Sequence, residues 1–180
     1  MEITNSPQQN ALPDWAIKRR PAGKHRRYFK RGIKMDRINN AVNKFNQGYA
    51  CSQAILSEYC VLFDMDTETA LKLSAGFAGG MRFGRTCGAV TGAFMVLGLK
   101  YSTQNCEKPE DRNNVYNAVC DFTKRFEEIH GTTNCETLIG CNIGTADGMR
   151  KAKEENLFYT ICPKYIKSSA EILEIILNKK

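Results

Sequence analysis

The chain has 180 residues, 42% of them hydrophobic, which suits one ordinary domain with a core of its own. Its net charge of +7 sits in residues 1–34, where nine Lys and Arg meet only Glu2 and Asp14; 17 basic and 17 acidic residues follow, so the charge argues against nucleic-acid binding by the folded body. The longest apolar stretch, Cys87 to Leu99, falls short of the roughly 20 residues a membrane span needs, and the expectation is a soluble, cytoplasmic protein.

Residues 1–34 are polar and basic, with Pro13, Pro21, Gly23 and Gly32 and no sustained apolar period. They read as a disordered leader, either a solvated extension or a stretch upstream of a natural start at Met35. From Met35 the helical domain of residues 35–180 begins. Ile38, Val42 and Phe45 mark one apolar face, and Gly48 breaks the helix. A second helix is expected from about Cys51 to Phe63, with Ala54, Ile55 and Leu62 inward. Asp66 or Thr67 can cap a third, carrying Ala70, Leu71 and Leu73. Residues 76–84 hold four glycines and form a loop that turns tightly or approaches another group closely.

A fourth helix starts near Thr86 or Cys87 and runs to about Tyr101. Pro109 opens a long fifth, with Val115, Val119, Phe122, Phe126 and Ile129 on its apolar face, and Gly131 ends it. A short helical turn follows around Cys135 to Ile139, then a stretch punctuated by Gly140, Gly144 and Gly148. The last helix follows Cys162-Pro163 and holds Ile166, Ala170, Ile172, Leu173, Ile176 and Leu177. No long segment alternates with period two, so the fold class is all-α, a compact bundle of at least five main helices.

The eight cysteines carry the chemistry. No apolar run of about 7–15 residues stands in the first 34, as a secretory signal would require, so redox or metal chemistry is a better reading than a structural disulfide framework. A thiol reacts as its thiolate, of which about 3% is present at pH 7 for a pKa near 8.5. A helix N-terminus favours that anion through its unpaired N–H groups. Cys51, Cys87, Cys135 and Cys162 each stand at an expected helix start. Cys87 also follows Arg82 and Arg85, which makes it the first choice for a thiolate of lowered pKa.

Cys60 is nine residues from Cys51, half a turn out of phase at about 100° per residue, so the two face opposite sides of one helix. Cys120, between Val119 and Phe122, reads as core, and Cys106 as incidental. Cys141, in Ile139-Gly140-Cys141-Asn142, could substitute for one of the four helix-start cysteines. His130 is expected to cap its helix or face solvent. No C-x-x-C, C-x-x-C-H or phosphate-binding G-x-x-x-x-G-K-[ST] occurs, which excludes thioredoxin-type, zinc-ribbon, c-type haem and P-loop readings.

The segments Gly48-Tyr49-Ala50-Cys51-Ser52-Gln53-Ala54, Cys87-Gly88-Ala89-Val90-Thr91-Gly92, residues 131–140 from Gly131 to Gly140, and Cys162-Pro163 together resemble the redox-active C_GCAxxG_C_C proteins of bacteria and archaea. The resemblance spans about residues 35–178 and implies that Cys51, Cys87, Cys135 and Cys162 are the family's four cysteines. Two functions follow. One is thiol–disulfide chemistry, as in an oxidoreductase, with Cys87 attacking and Cys51 or another of the four resolving. The alternative is electron transfer or metal binding, with the same four thiolates holding an iron–sulfur cluster or another soft metal ion. Either implies a redox partner protein or a small electron donor or acceptor.

Overall fold

The structure is a computed structural model and describes residues 31–102 and 108–179; most of the basic leader, and Cys106, lie outside the described residues. Helix α1 (Arg31–Asn46) begins four residues before Met35 and buries Ile38, Ala41 and Phe45. Gly48, at φ +102°, turns the chain into α2 (Cys51–Tyr59), which tightens into a 3₁₀ turn at Cys60–Phe63. Helix α3 (Thr67–Ser74) is capped by Asp66, whose carboxylate accepts the Thr69 N–H at 2.8 Å. After the glycine loop come α4 (Gly88–Tyr101) and α5 (Pro109–His130). Three short helices follow, α6 (Cys135–Ile139), α7 (Ala146–Glu154) and α8 (Leu157–Thr160), and α9 (Cys162–Leu177) closes the fold.

The architecture is all-helical, as expected. Among the described residues the sole extended pairing is an isolated antiparallel bridge between Thr86 and Asn134. Helix α4 packs most closely on α2 and also touches α5 and α9, while α9 lies against α1, α2, α4 and α5. The small residues of α4 make this possible. A Cβ on Gly92 would lie 2.8 Å from the Ser52 carbonyl oxygen, so the missing side chain sets how near α2 can come. Ser52 Oγ donates to the Ser74 carbonyl at 2.7 Å and Gln53 Nε2 to the Leu71 carbonyl at 3.0 Å, fastening α3 to α2. Arg37 of α1 reaches the fully buried Glu174 of α9 through two bonds, Nε at 2.7 Å and a terminal nitrogen at 3.0 Å. Such a fork satisfies a buried carboxylate that would be costly alone.

Several inward assignments need correction. Leu62 is exposed because the 3₁₀ turn rotates each residue further than an α-helix does. In α3 the buried pair is Ala70 and Ser74, four apart, and Leu73 is exposed. In α5 the buried stripe is Ala118, Phe122 and Phe126, with a strict spacing of four. Cys120 lies two residues off that stripe and faces solvent, as does Ile129. Gly148 is no punctuation mark. It lies inside α7, where a Cβ would run into the Asn142 carbonyl, and Thr145 caps that helix by accepting the Gly148 N–H at 3.1 Å.

Candidate functional site

Each of the four helix-start cysteines is positioned by local backbone chemistry. Ala50, in extended conformation, precedes α2, and its N–H is taken by the Gln53 side chain at 3.0 Å, which leaves Cys51 as the first helical residue. Cys87 is the N-cap of α4, with its carbonyl accepting the N–H groups of Val90 and Thr91, both at 2.9 Å. Cys135 opens α6 behind Asn134, whose side chain accepts the Thr137 N–H at 3.0 Å. Cys162 opens α9 with Pro163 in the first turn, where the missing N–H costs nothing.

Tertiary contacts then bring these starts together. The Thr86–Asn134 bridge has two flanking bonds, Cys87 N–H to the Thr133 carbonyl at 2.8 Å and Cys135 N–H to the Arg85 carbonyl at 2.6 Å. Cys87 and Cys135 are therefore tied to one short ladder. Gly88 brings in Cys51: a Cβ at Gly88 would overlap the Cys51 sulfur, so that sulfur rests directly on the first turn of α4. Cys51, Cys87, Cys135 and Cys162 all line one cavity of about 580 Å³. Its walls are mainly aliphatic and aromatic, including Phe45, Leu138, Ile143, Phe158 and Ile166, and Arg82 is the one charged residue among those that line it.

The glycine loop forms part of the rim. Gly79, Gly80, Met81 and Arg82 have φ of +59°, +60°, +54° and +67°, so four successive residues take the left-handed conformation. The turn is held by Arg82 N–H on the Ala78 and Gly79 carbonyls, at 3.3 and 3.1 Å, and by Arg85 N–H on Gly80 at 3.1 Å. A Cβ on Gly80 would press on the Arg85 backbone and lie 3.0 Å from Cys135 Cβ. The turn is thus packed against the cysteine ladder.

The electrostatics overturn one expectation. Burial pushes the Cys87 thiol well above its ordinary range, and the neighbouring Cys51 and Cys135 push it further, while the amides of Ala89 and Val90 pull the other way. Cys51 is raised by burial too, against hydrogen bonds from the backbone at Gly79, Ser52 and Gly88. Burial lifts Cys135 and Cys162 to about 12, each with Cys51 as the next contributor. The helix-start effect is present, but desolvation outweighs it. Arg82 and Arg85 are exposed and are not among the main causes of the Cys87 shift.

The described cysteines are all free thiols. Among the described residues, no three His, Cys, Asp or Glu side chains converge closely enough to hold one metal ion. Cys141 does not line the cavity; it is half-buried, donates to the Gly148 carbonyl at 3.5 Å and adds to the field at Cys135. Cys60 is fully buried in the core and likewise lies off the cavity, as the half-turn offset from Cys51 requires. His130 is half-buried against aromatic rings rather than fully out in solvent. Its ring lies 4.6 Å from Phe126 and 4.9 Å from Tyr165, with Nε2 buried. The aromatic walls were the feature missed in the sequence. Tyr165, three residues after Cys162 on the same helix face, was the available signal.

An all-helical domain with four thiols at four helix starts around one apolar cavity defines a class of protein in which sulfur is the shared feature of the site. Residues 49–176 match the model of the family described as "Putative redox-active protein (C_GCAxxG_C_C)", and the chain belongs to that family. No curated protein and no solved structure is found to match it. Among the described residues, no helix is long and apolar enough to cross a membrane.

Proposed function

We propose that this protein is a thiol–disulfide redox protein whose central dithiol is Cys51 and Cys87. The observation that carries the reading is the seating of the Cys51 sulfur on Gly88, beside Cys87, within a cavity that Cys135 and Cys162 also line. One thiol loses its proton and attacks a substrate disulfide, which releases one substrate thiol and leaves a mixed disulfide. The second protein thiol then displaces the other substrate sulfur. Two electrons and two protons pass to the substrate, and the protein keeps one S–S bond. Cys135 and Cys162 complete the set and take up that bond by exchange inside the cavity.

The test is oxidation of the anaerobically purified, fully reduced protein with one equivalent of a two-electron oxidant. Two thiols should disappear, and peptide mapping should find a Cys51–Cys87 linkage that Cys87→Ser abolishes. The reading fails if no disulfide forms among the four cysteines. It fails equally if the protein is isolated brown, with stoichiometric iron and sulfide released by the same substitution, because the four sulfurs would then serve a cluster.

A further inference from the structure

We propose that the substrate of this site is a small, largely apolar disulfide carrying one negative charge, rather than a disulfide on a protein surface. The inference rests on the thiol–disulfide reading above and adds the class of molecule that meets the sulfurs. Access decides between small and large. Cys87 is 7% exposed, Cys135 3% and Cys162 9%, and Cys51, a half-buried residue, keeps its sulfur packed against Gly88, so the sulfurs lie along the inner wall of the cavity. Exchange requires the attacking sulfur to reach along the S–S axis of its target. A disulfide held in a folded partner cannot present that axis to a recessed thiol without entering the cavity. The cavity volume of about 580 Å³ lies within the range of about 300–1,000 Å³ that holds small ligands.

The lining decides the polarity. Phe45, Phe158, Leu138 and Ile166 make the wall largely apolar, with hydroxyls only on Tyr49, Tyr159 and Tyr165, so the body of the substrate is largely apolar. The one charge in the lining is Arg82, which is exposed and therefore stands at the cavity's mouth. It takes this place in a left-handed conformation, φ +67°, that an arginine adopts at a cost. A carboxylate on the outer end of the substrate would meet it there, with the disulfide at the inner end. The reaction balances as before: the protein dithiol becomes a disulfide and the small disulfide leaves as a dithiol, or the reverse.

Lipoate is a suitable probe, because it joins a cyclic disulfide to an apolar chain and one carboxylate. Lipoamide removes the charge, cystamine inverts it, oxidised glutathione is polar, and insulin carries protein disulfides. Exchange is followed anaerobically with full-length protein by loss of the dithiolane absorbance or by thiol release, and in the reverse direction with the oxidised protein and dihydrolipoate. Lipoate should exchange at least about tenfold faster than cystamine, oxidised glutathione or insulin. Arg82→Asn, which tolerates the left-handed backbone, should slow lipoate about tenfold more than lipoamide. Ala75→Trp fills the exposed rim and should slow lipoate about tenfold or more with an unchanged melting temperature.

Insulin or oxidised glutathione exchanging as fast as lipoate would overturn the substrate assignment and leave the redox reading standing. An Arg82→Asn variant that slows lipoate and lipoamide equally would overturn the role of the charge. Failure of every probe, together with failure of the strong oxidant to form any internal disulfide, would instead remove the redox reading itself.

Discussion

At the scale of single residues, Gly88 decides more than its size suggests. It follows Cys87, opens α4, and leaves the space that the Cys51 sulfur occupies. A Cβ there would overlap that sulfur and lie 2.9 Å from the Ala78 Cα, so the sulfur must be displaced and the backbone at Ala78 cannot give way cheaply. Gly88→Ala should cost about 1–3 kcal/mol of stability, the usual range for overpacking a tight core. Urea denaturation should show a lower midpoint with unchanged slope, and Cys51–Cys87 disulfide formation should slow. An unchanged midpoint would mean that the two sulfurs are not packed as described. Legibility at this scale divides cleanly. The helix-start positions of Cys51, Cys87, Cys135 and Cys162 were readable because capping is local: a turn, a polar residue, then an apolar period. The pKa of Cys87 was not, because it depends on how much of the fold covers the thiol. Amides in the first turn of α4 act over one or two residues, whereas the desolvation comes from every element around the cavity.

At the scale of elements, the left-handed turn of residues 79–82 carries two non-glycine residues in a conformation costing about 1–2 kcal/mol each. Strain of this kind persists where surrounding structure over-determines it, and here the turn is braced against Cys135. Arg82 is exposed, so replacing it removes little packing. Arg82→Gly should stabilise the fold by about 0.5–1 kcal/mol and raise the melting temperature by roughly 1–4 °C. Gly80→Ala should have the opposite sign, since its Cβ meets the Arg85 backbone. Two changes of the same sign would show that the turn is not left-handed. The four glycines marked this loop in the sequence, but its handedness through Met81 was beyond reach, because that handedness is imposed by what the loop packs on. Helix α7 was hidden for the converse reason. Gly148 reads as a breaker, yet it is needed for a close approach to Asn142 that exists in the folded chain alone.

At the scale of the whole molecule, gathering thiols at a buried cavity ties stability to pH. Cys135 and Cys162 are lifted from the ordinary thiol range to about 12, and Cys51 and Cys87 are also raised. Below about pH 9 these thiols keep their protons in both folded and unfolded chains, and no dependence arises. Above it the unfolded chain loses protons that the folded chain retains. Fewer protons are then bound in the unfolded state, so unfolding becomes easier as pH rises, by about 1.4 kcal/mol per pH unit for each such thiol. Stability of the reduced protein, measured by urea denaturation without oxygen, should therefore fall steeply between about pH 9 and 11. The Cys135→Ser, Cys162→Ser double variant should show a slope shallower by the share of two thiols. Oxidation supplies the decisive comparison, since a disulfide has no proton to lose. If the cysteines form the proposed redox centre, the oxidised protein should lose the slope contributed by each joined pair and become the more alkali-resistant form. A slope unchanged by oxidation, in a protein shown to hold the Cys51–Cys87 bond, would place the alkaline titration elsewhere. The buried Tyr59, itself raised by burial, would be the first group to examine.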